Sequence, residues 1–142
     1  MHKRTTPHAL TLLALLLVSG LIACDDSNTG PEGPSVAGIW NGEFRGASAQ
    51  MNLTQAGSDV SGTLTVGPRE YPLIGTVDAT GTFEWSTDLR EADCSRLASS
   101  DMQLQNEASS LAGRMVRSSE SPPCDGGRTL VQSASVELTK AF

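Results

Sequence analysis

The stretch Met51-Asn-Leu-Thr-Gln-Ala-Gly-Ser-Asp-Val-Ser-Gly-Thr-Leu64 shows how this chain is built. Apolar residues alternate with polar ones, a polar turn follows, and the alternation then resumes. Alternation with a period of two places one face of a strand against a core, so the stretch predicts a β-hairpin. A related stretch, Met102–Met115, follows at an offset of 51 residues with Met, Leu, Ser and Gly recurring, and it predicts a second hairpin.

The same alternation recurs along the chain between Gly, Pro, Ser, Asn and Asp residues, and it predicts eight short strands. Hairpin spacing without a long crossover favours an all-β, eight-stranded antiparallel up-and-down β-barrel over a sandwich, because closure removes the exposed edges. A helical turn is expected only at Leu89–Leu97. The residues assigned to the inner faces are, strand by strand, Trp40 and Phe44; Met51 and Leu53; Val60, Leu64 and Val66; Tyr71, Leu73 and Val77; Phe83 and Trp85; Met102 and Leu104; Leu111 and Met115; and Leu130, Ala134, Val136 and Leu138.

The first residues have the pattern of an export signal. A positive start is followed by the run Ala9–Val18, which is apolar except for Thr11 and is about half as long as the ~20 residues that span a membrane. The tetrad Leu21-Ile22-Ala23-Cys24 resembles the bacterial lipobox. That resemblance implies a lipid on Cys24 and a membrane anchor on the exported side of the bacterial cell envelope. An ordinary secreted protein, cleaved near this position, is the alternative.

The chain therefore divides into three parts. Residues 1–23 are interpreted as the signal peptide, residues 24–35 as the lipidated cysteine and a flexible tether, and residues 36–142 as the β-barrel domain. The tether assignment follows from a Gly-, Pro- and Asp-containing composition without apolar residues.

The chain has three cysteines, an odd number for an exported protein. If Cys24 carries the lipid, Cys94 and Cys124 remain as one pair in an oxidising compartment. Neither lies in a metal-ligand spacing, so we expect a disulfide between them rather than two free thiols.

The charge excludes several functions. The net charge is −6, and loss of Lys3 and Arg4 with the signal would leave −8, which argues against a nucleic acid partner. Both histidines, His2 and His8, lie in the signal, so the domain has none for a nucleophile system or a zinc site. We expect no metal and no cofactor. The carboxylates fall on the polar faces of their strands, which leaves a carboxylate-only hydrolase as a third-ranked hypothesis.

Gly38-Ile39-Trp40, at the start of the first strand, resembles the Gly-x-Trp signature of lipocalins and related calycin-like small barrels, including avidin-type proteins. The resemblance implies a basic residue of the last strand over the tryptophan, and Lys140 stands at that place. Biotin binders of the avidin type line their pocket with several tryptophans, whereas this domain has only Trp40 and Trp85.

The inner-face aromatic residues give two interpretations, because an eight-stranded barrel either fills its interior or holds one small ligand. They would be a hydrophobic core or the lining of a ligand pocket; these residues are Trp40, Phe44, Tyr71, Phe83 and Trp85. The inner glycines Gly62, Gly75 and Gly113 either open interior space or let strands bend.

The sequence predicts a non-enzymatic binding module of the cell envelope, for a small apolar ligand or a protein partner. The arginines Arg45, Arg114 and Arg117 are not assigned to the inner faces, so a neutral ligand is expected. The alternative is an inhibitor of a protease or lysozyme that acts through a barrel-end loop, for which Ser118–Gly127 is the candidate segment.

Overall fold

The computed structural model describes residues 33–88, 94–121 and 124–142. Each strand pairs antiparallel with the next, and the first pairs with the last, so the sheet closes into a barrel. This confirms the predicted eight-stranded up-and-down barrel. The strands are β1 Gly38–Phe44, β2 Ala47–Ala56, β3 Asp59–Val66, β4 Arg69–Val77, β5 Thr82–Thr87, β6 Ser95–Gln105, β7 Ser110–Ser121 and β8 Arg128–Lys140.

The helical turn expected at Leu89–Leu97 is wrong for the part that the structure describes. Ser95–Leu97 begin β6, where they pair with β7, and the Leu97 amide donates to the Thr87 hydroxyl at 3.0 Å. Pairing with neighbouring strands overrides the local pattern here. Residues 89–93 lie outside the described residues. No helix in the described part of the chain is long and apolar enough to cross a membrane.

The inner faces of the strands form a packed hydrophobic core. Eight of its large side chains have no exposed surface: Trp40, Met51, Leu64, Phe83, Met102, Leu111, Met115 and Leu138. Each buried side chain of this size stabilises the fold by about 1.5–3 kcal/mol relative to exposure. Most of the barrel interior is therefore filled by side chains.

The inner glycines serve close strand approach rather than interior space. A Cβ at Gly62 would lie 2.0 Å from the backbone oxygen of Asn52, and one at Gly75 would lie 2.3 Å from that of Glu84. At Gly113 the nearest atom is the Met102 Cα, at 2.6 Å. Only glycine fits where the backbones come this close.

The two related sequence stretches form hairpins, as predicted, but with different turns. In the first hairpin Ala56 pairs with Asp59 across a two-residue turn. In the second, Gln105 pairs with Ser110 across a four-residue turn. The sequence repeat therefore specifies two hairpins without specifying the same strand register.

The barrel has two unlike ends. At the closed end lie the β2–β3, β4–β5 and β6–β7 turns and the chain entering β1. At the mouth end lie the β1–β2 and β3–β4 turns and the β5–β6 and β7–β8 connections. Because β7 and β8 have 12 and 13 residues and β1 has seven, the β6–β8 side rises beyond the β1–β4 side at the mouth. We call this extension the tall wall.

A disulfide joins Cys94 and Cys124 beside the tall wall, with a Cα–Cα distance of 5.2 Å. It ties the chain entering β6 to the β7–β8 connection, and it confirms the predicted pairing.

The exposure of Leu130, which the sequence assigned to the inner face, follows from the extension of the tall wall. Its strand is β8, but the side chain is 45% exposed because this part of β8 lies beyond the barrel core.

Candidate functional site

A cavity of about 280 Å³ opens at the mouth end, and we call it the mouth pocket. The β1–β2 and β3–β4 turns border it on the low side, and the tall wall borders it on the other. Its lining residues are Phe44, Ala47, Val66, Gly67, Pro68, Arg69, Tyr71, Leu97 and Arg117. The volume is close to the lower limit for small-molecule sites, about 300 Å³.

The base of the mouth pocket is apolar. Phe44, Tyr71 and Leu97 come from three different strands, β1, β4 and β6, and each is at most 4% exposed. Phe44 and Tyr71 share the inward parity of the core residues on their strands. Leu97 is buried as well, and an irregularity between Ala98 and Gln103 separates it from the core residue Met102, which has the opposite parity. A ligand entering the mouth would therefore meet a preformed apolar surface.

Buried polar groups lie behind this surface. The Tyr71 hydroxyl is 3.5 Å from the Ser95 hydroxyl, and both residues are buried. Thr87 is buried nearby and uses its hydroxyl oxygen to accept the Leu97 amide. These contacts fix the start of β6 and orient the tyrosine at the pocket.

The charged residues of the pocket lining are two arginines, Arg69 and Arg117. Arg117 pairs directly with inward-facing Leu97, and directly paired residues share a face of the sheet. Sequence reasoning failed to assign Arg117 to the inner face. The signal was present, because Leu111, Met115 and Arg117 have the same parity along β7.

The predicted aromatic set divides among three places. Phe44 and Tyr71 line the mouth pocket. Trp40 and Phe83 are fully buried in the core. Trp85 contributes to a second cavity on the outside of the barrel.

This second cavity, the outer groove, has a volume of about 750 Å³ and crosses the outer faces of β2 to β6. Ile74, which is 63% exposed, lies in it. Six of its fourteen lining residues are serine or threonine, and two of these, Thr54 and Ser61, hydrogen-bond to each other at 3.0 Å. The buried indole nitrogen of Trp85 has no hydrogen-bond partner within the described residues. The groove is an open feature of the outer surface and is larger than the mouth pocket.

The closed end is sealed by residues that precede β1. The indole nitrogen of Trp40 donates to the Val36 carbonyl at 2.7 Å, and the Val36 amide donates to the side-chain oxygen of Gln55 at 2.8 Å. The Lys140 ammonium lies 5.3 Å from the centre of the Trp40 ring, which confirms the cation expected from the Gly-x-Trp resemblance. Gly38 permits this contact, since its φ is 127° and a Cβ there would lie 2.9 Å from Lys140 Cε.

The strand carboxylates that the structure describes do not converge on a site. Glu43, Glu84 and Glu137 are exposed and lie on different strands. In residues 33–88, 94–121 and 124–142, no group of three or more His, Cys, Asp or Glu side chains could hold a metal ion.

Asp78, in the β4–β5 turn, has a lowered pKa. The cause is, first, a hydrogen bond from the Thr80 hydroxyl at 2.6 Å and then one from the Thr82 amide at 2.9 Å, both of which stabilise the ionised form. The Thr80 amide donates to the same oxygen. Asp78 therefore holds the β4–β5 turn together at the closed end.

The segment Ser118–Gly127, considered as an inhibitory loop, is only partly a loop. Its first four residues belong to β7, and residues 124–126 form a turn fixed by the disulfide at Cys124. Residues 122 and 123 lie outside the described residues. The inhibitor alternative stays a prediction.

Comparisons with known proteins identify the fold. No protein-family model and no curated protein sequence match the chain. The structure is similar to a rhizavidin–biotin complex, with a TM-score of 0.53 and 15% identity over 76% of this chain and 97% of that one. It is also similar to apo short afifavidin, with a TM-score of 0.51 and 17% identity over 78% and 99% of the two chains. At these identities the likeness establishes the fold: the chain has the barrel fold of avidin-type proteins.

Proposed function

We propose that this protein is a non-enzymatic binding module that holds a small ligand in the mouth pocket. The ligand would have an apolar body and an anionic or strongly accepting end. The observation that carries the proposal is the composition of the pocket, in which the buried surface of Phe44, Tyr71 and Leu97 adjoins Arg69 and Arg117.

The mouth pocket suits a ligand better than the other two places. The barrel core is filled by side chains such as Trp40 and Phe83. The outer groove is larger, but Asp59 and Glu84 line it and eight of its fourteen lining residues are exposed. Ligand sites typically combine a concave apolar surface with a few placed polar groups, and the mouth pocket has both.

The arginines favour an anionic group over the neutral ligand expected from the sequence. A guanidinium has five N–H donors. An arginine that already contacts a protein group therefore retains donors for an acceptor on a ligand. Carboxylate and sulfonate oxygens are suitable acceptors, and the described lining contains no acidic side chain that would repel them.

The experiment is a fluorescence titration with 8-anilinonaphthalene-1-sulfonate, an aromatic sulfonate, followed by competition with biotin as a small carboxylate. We expect saturable binding at one site. Arg117→Gln should weaken it about tenfold or more, because a hydrogen bond to a charged group contributes about 1.5–3 kcal/mol. Arg114→Gln is the matched control, since Arg114 lies on the same strand but is exposed on the outer face.

Equal effects of Arg117→Gln and Arg114→Gln would show that the sulfonate binds elsewhere. An absence of saturable binding would remove the ligand proposal. Competition by biotin is the further readout, and it decides whether a carboxylate occupies the same site.

We also propose that Cys24 carries a lipid that anchors the protein to a bacterial membrane, with the barrel on the exported side. The proposal is supported by the resemblance of Leu21–Cys24 to a lipobox. After expression of the full chain in a bacterium, the protein should be found in the membrane fraction with an acylated mature terminus. Cys24→Ser should abolish this acylation. Detection of an unmodified mature terminus by mass spectrometry would contradict the proposed lipidation of Cys24.

A further inference from the structure

The last strand has a long edge without a partner. β1 pairs with β8 only at Trp40–Gly42 opposite Leu138–Lys140, and β1 ends at Phe44. β8 begins at Arg128 and pairs with β7 along its whole length. From Arg128 to Ser135, therefore, β8 has β7 on one side and no strand of the described chain on the other. We call this segment the open edge.

The backbone of the open edge presents unpaired hydrogen-bonding groups. The Ala141 amide donates to Ile39 of β1, and the Lys140 amide donates toward β7, to Ser109. The backbone N–H and C=O groups of the odd-numbered residues of β8 therefore point to the β1 side. The β7–β8 register continues without a shift to Arg128, so the same holds along the whole strand. It follows that Thr129, Val131, Ser133 and Ser135 direct their amides and carbonyls to the open edge; these are the groups that another strand would bind.

Beyond its first residue, Arg128, the side chains of this segment do nothing to prevent strand pairing. Natural edge strands are protected by charges, prolines or bulges. Residues 129–136 contain no charged residue, no proline and no glycine, and the pairing with β7 has no bulge. Leu130 is 45% exposed and Val131 is 67% exposed. This composition is typical of a strand that is covered by a partner strand.

We infer that the open edge pairs antiparallel with the open edge of a second copy of this chain, around a two-fold axis at Val131. In that register Val131 lies opposite its own symmetry mate and Thr129 lies opposite Ser133, so the residues whose backbone groups face the edge meet each other. The two most exposed aliphatic residues of β8 are then covered by the same strand. Such a contact ends at the dimer, because each copy uses the same surface and no second open edge remains for a third copy.

Charge favours this edge as the place where two copies meet. The chain carries a net charge of −6, so two copies repel each other in general. Within the paired segment 128–134 the one charged residue is Arg128, and it lies opposite Ala134. Contact through the outer groove would instead bring Asp59 and Glu84 of both copies into one interface.

The first test measures the mass of the full chain by sedimentation equilibrium over a concentration series. The chain carries Cys24→Ser, which removes the proposed lipidation site. We expect a dimer. Val131→Lys would place two ammonium groups opposite each other and should raise the dissociation constant at least tenfold. Ile74→Lys is the matched control, because Ile74 is similarly exposed (63%) on a strand remote from the edge.

The second test uses Val131→Cys in the same Cys24→Ser background. Residues of a hydrogen-bonded antiparallel pair have Cα atoms about 5.5 Å apart, which lies within the disulfide range. Mild oxidation should therefore give a covalent dimer with Val131→Cys and none with Ile74→Cys. A chain that stays monomeric at every concentration would overturn the inference. A dimer that Ile74→Lys dissociates and Val131→Lys leaves intact would overturn it too.

Discussion

The closed end and the mouth end of the barrel consist of the same strands but are held together by different interactions. At the closed end, the Trp40 ring lies between the core and the Lys140 ammonium and binds the Val36 carbonyl. At the mouth end, a covalent bond between Cys94 and Cys124 holds the chain beside a tall wall with little core behind it. The comparison shows that core packing closes one end, whereas the other end depends on a cross-link and keeps an accessible pocket.

Strand length explains this division. The short strand β1 ends near the middle of the longer β8, so the mouth-end half of β8 cannot be closed by pairing with β1. The residues there are exposed on both faces, and burial cannot hold them in place. A disulfide stabilises such a region through the unfolded state, without needing buried area.

The largest expected effect comes from removing the cross-link. The disulfide joins residues separated by 30 positions, and the double variant Cys94→Ala, Cys124→Ala should lower the free energy of unfolding by about 3.5 kcal/mol in the chain-entropy model. Denaturant unfolding gives the total effect, and hydrogen exchange shows where it acts.

Amide protection in the tall wall at Ser95–Ala98 and Val116–Ser119 should fall by more than that of Trp40 and Met51, whose amides lose only the decrease in the global free energy of unfolding. Equal loss of protection at both ends would contradict the separation between them.

A matched pair of tryptophan variants tests the closed end. Trp40 and Trp85 are both buried, but only Trp40 uses its indole nitrogen in a hydrogen bond among the described residues. Trp40→Phe leaves the Val36 carbonyl without its donor, whereas Trp85→Phe removes a donor that has no acceptor. We expect Trp40→Phe to be the more destabilising by about 1–3 kcal/mol in thermal or urea unfolding. Equal losses would mean that the Val36 bond contributes nothing to closure.

The smallest effect concerns the β4–β5 turn. The hydrogen bonds from Thr80 and Thr82 lower the pKa of Asp78 below its ordinary 3.8, so its ionised form stabilises the fold above that pH. Asp78→Asn should be slightly less stable than the natural chain at neutral pH. The difference should persist down to about pH 3.8 and disappear as the pH falls through the lower folded-state pKa. Glu70→Gln, at another exposed acidic residue, is the control for the loss of one negative charge.

The sequence was sufficient to predict the strands and the closed barrel. Strict alternation at residues such as Met51, Leu53, Phe83 and Trp85 gives both the strand and its buried face, because a one-residue slip would expose the whole set. The disulfide and the cation over Trp40 were predictable as well, since each follows from few candidates. Lys140 is the only lysine after Lys3.

The candidate site was harder to predict from the sequence. The alternation of residues along a strand tells which face of the sheet a side chain lies on, but not how far along the barrel axis it lies. Phe44 and Phe83 have the same inward parity, but Phe44 lies at the mouth and Phe83 in the filled core. Depth depends on how far each strand extends relative to its neighbours, and that register is decided by the turns. The open edge of β8 has the same origin, because no local pattern reveals that β1 stops short of it.

The most direct test of the account follows backbone amide shifts by NMR during titration of the ¹⁵N-labelled full chain with 8-anilinonaphthalene-1-sulfonate. If the mouth pocket is the binding site, the largest shifts should occur at Val66, Gly67 and Leu97, with saturation at one equivalent, and Val36 and Trp40 at the closed end should not move. Shifts centred on Ile74 in the outer groove, or on Trp40, would contradict the assignment of binding to the mouth.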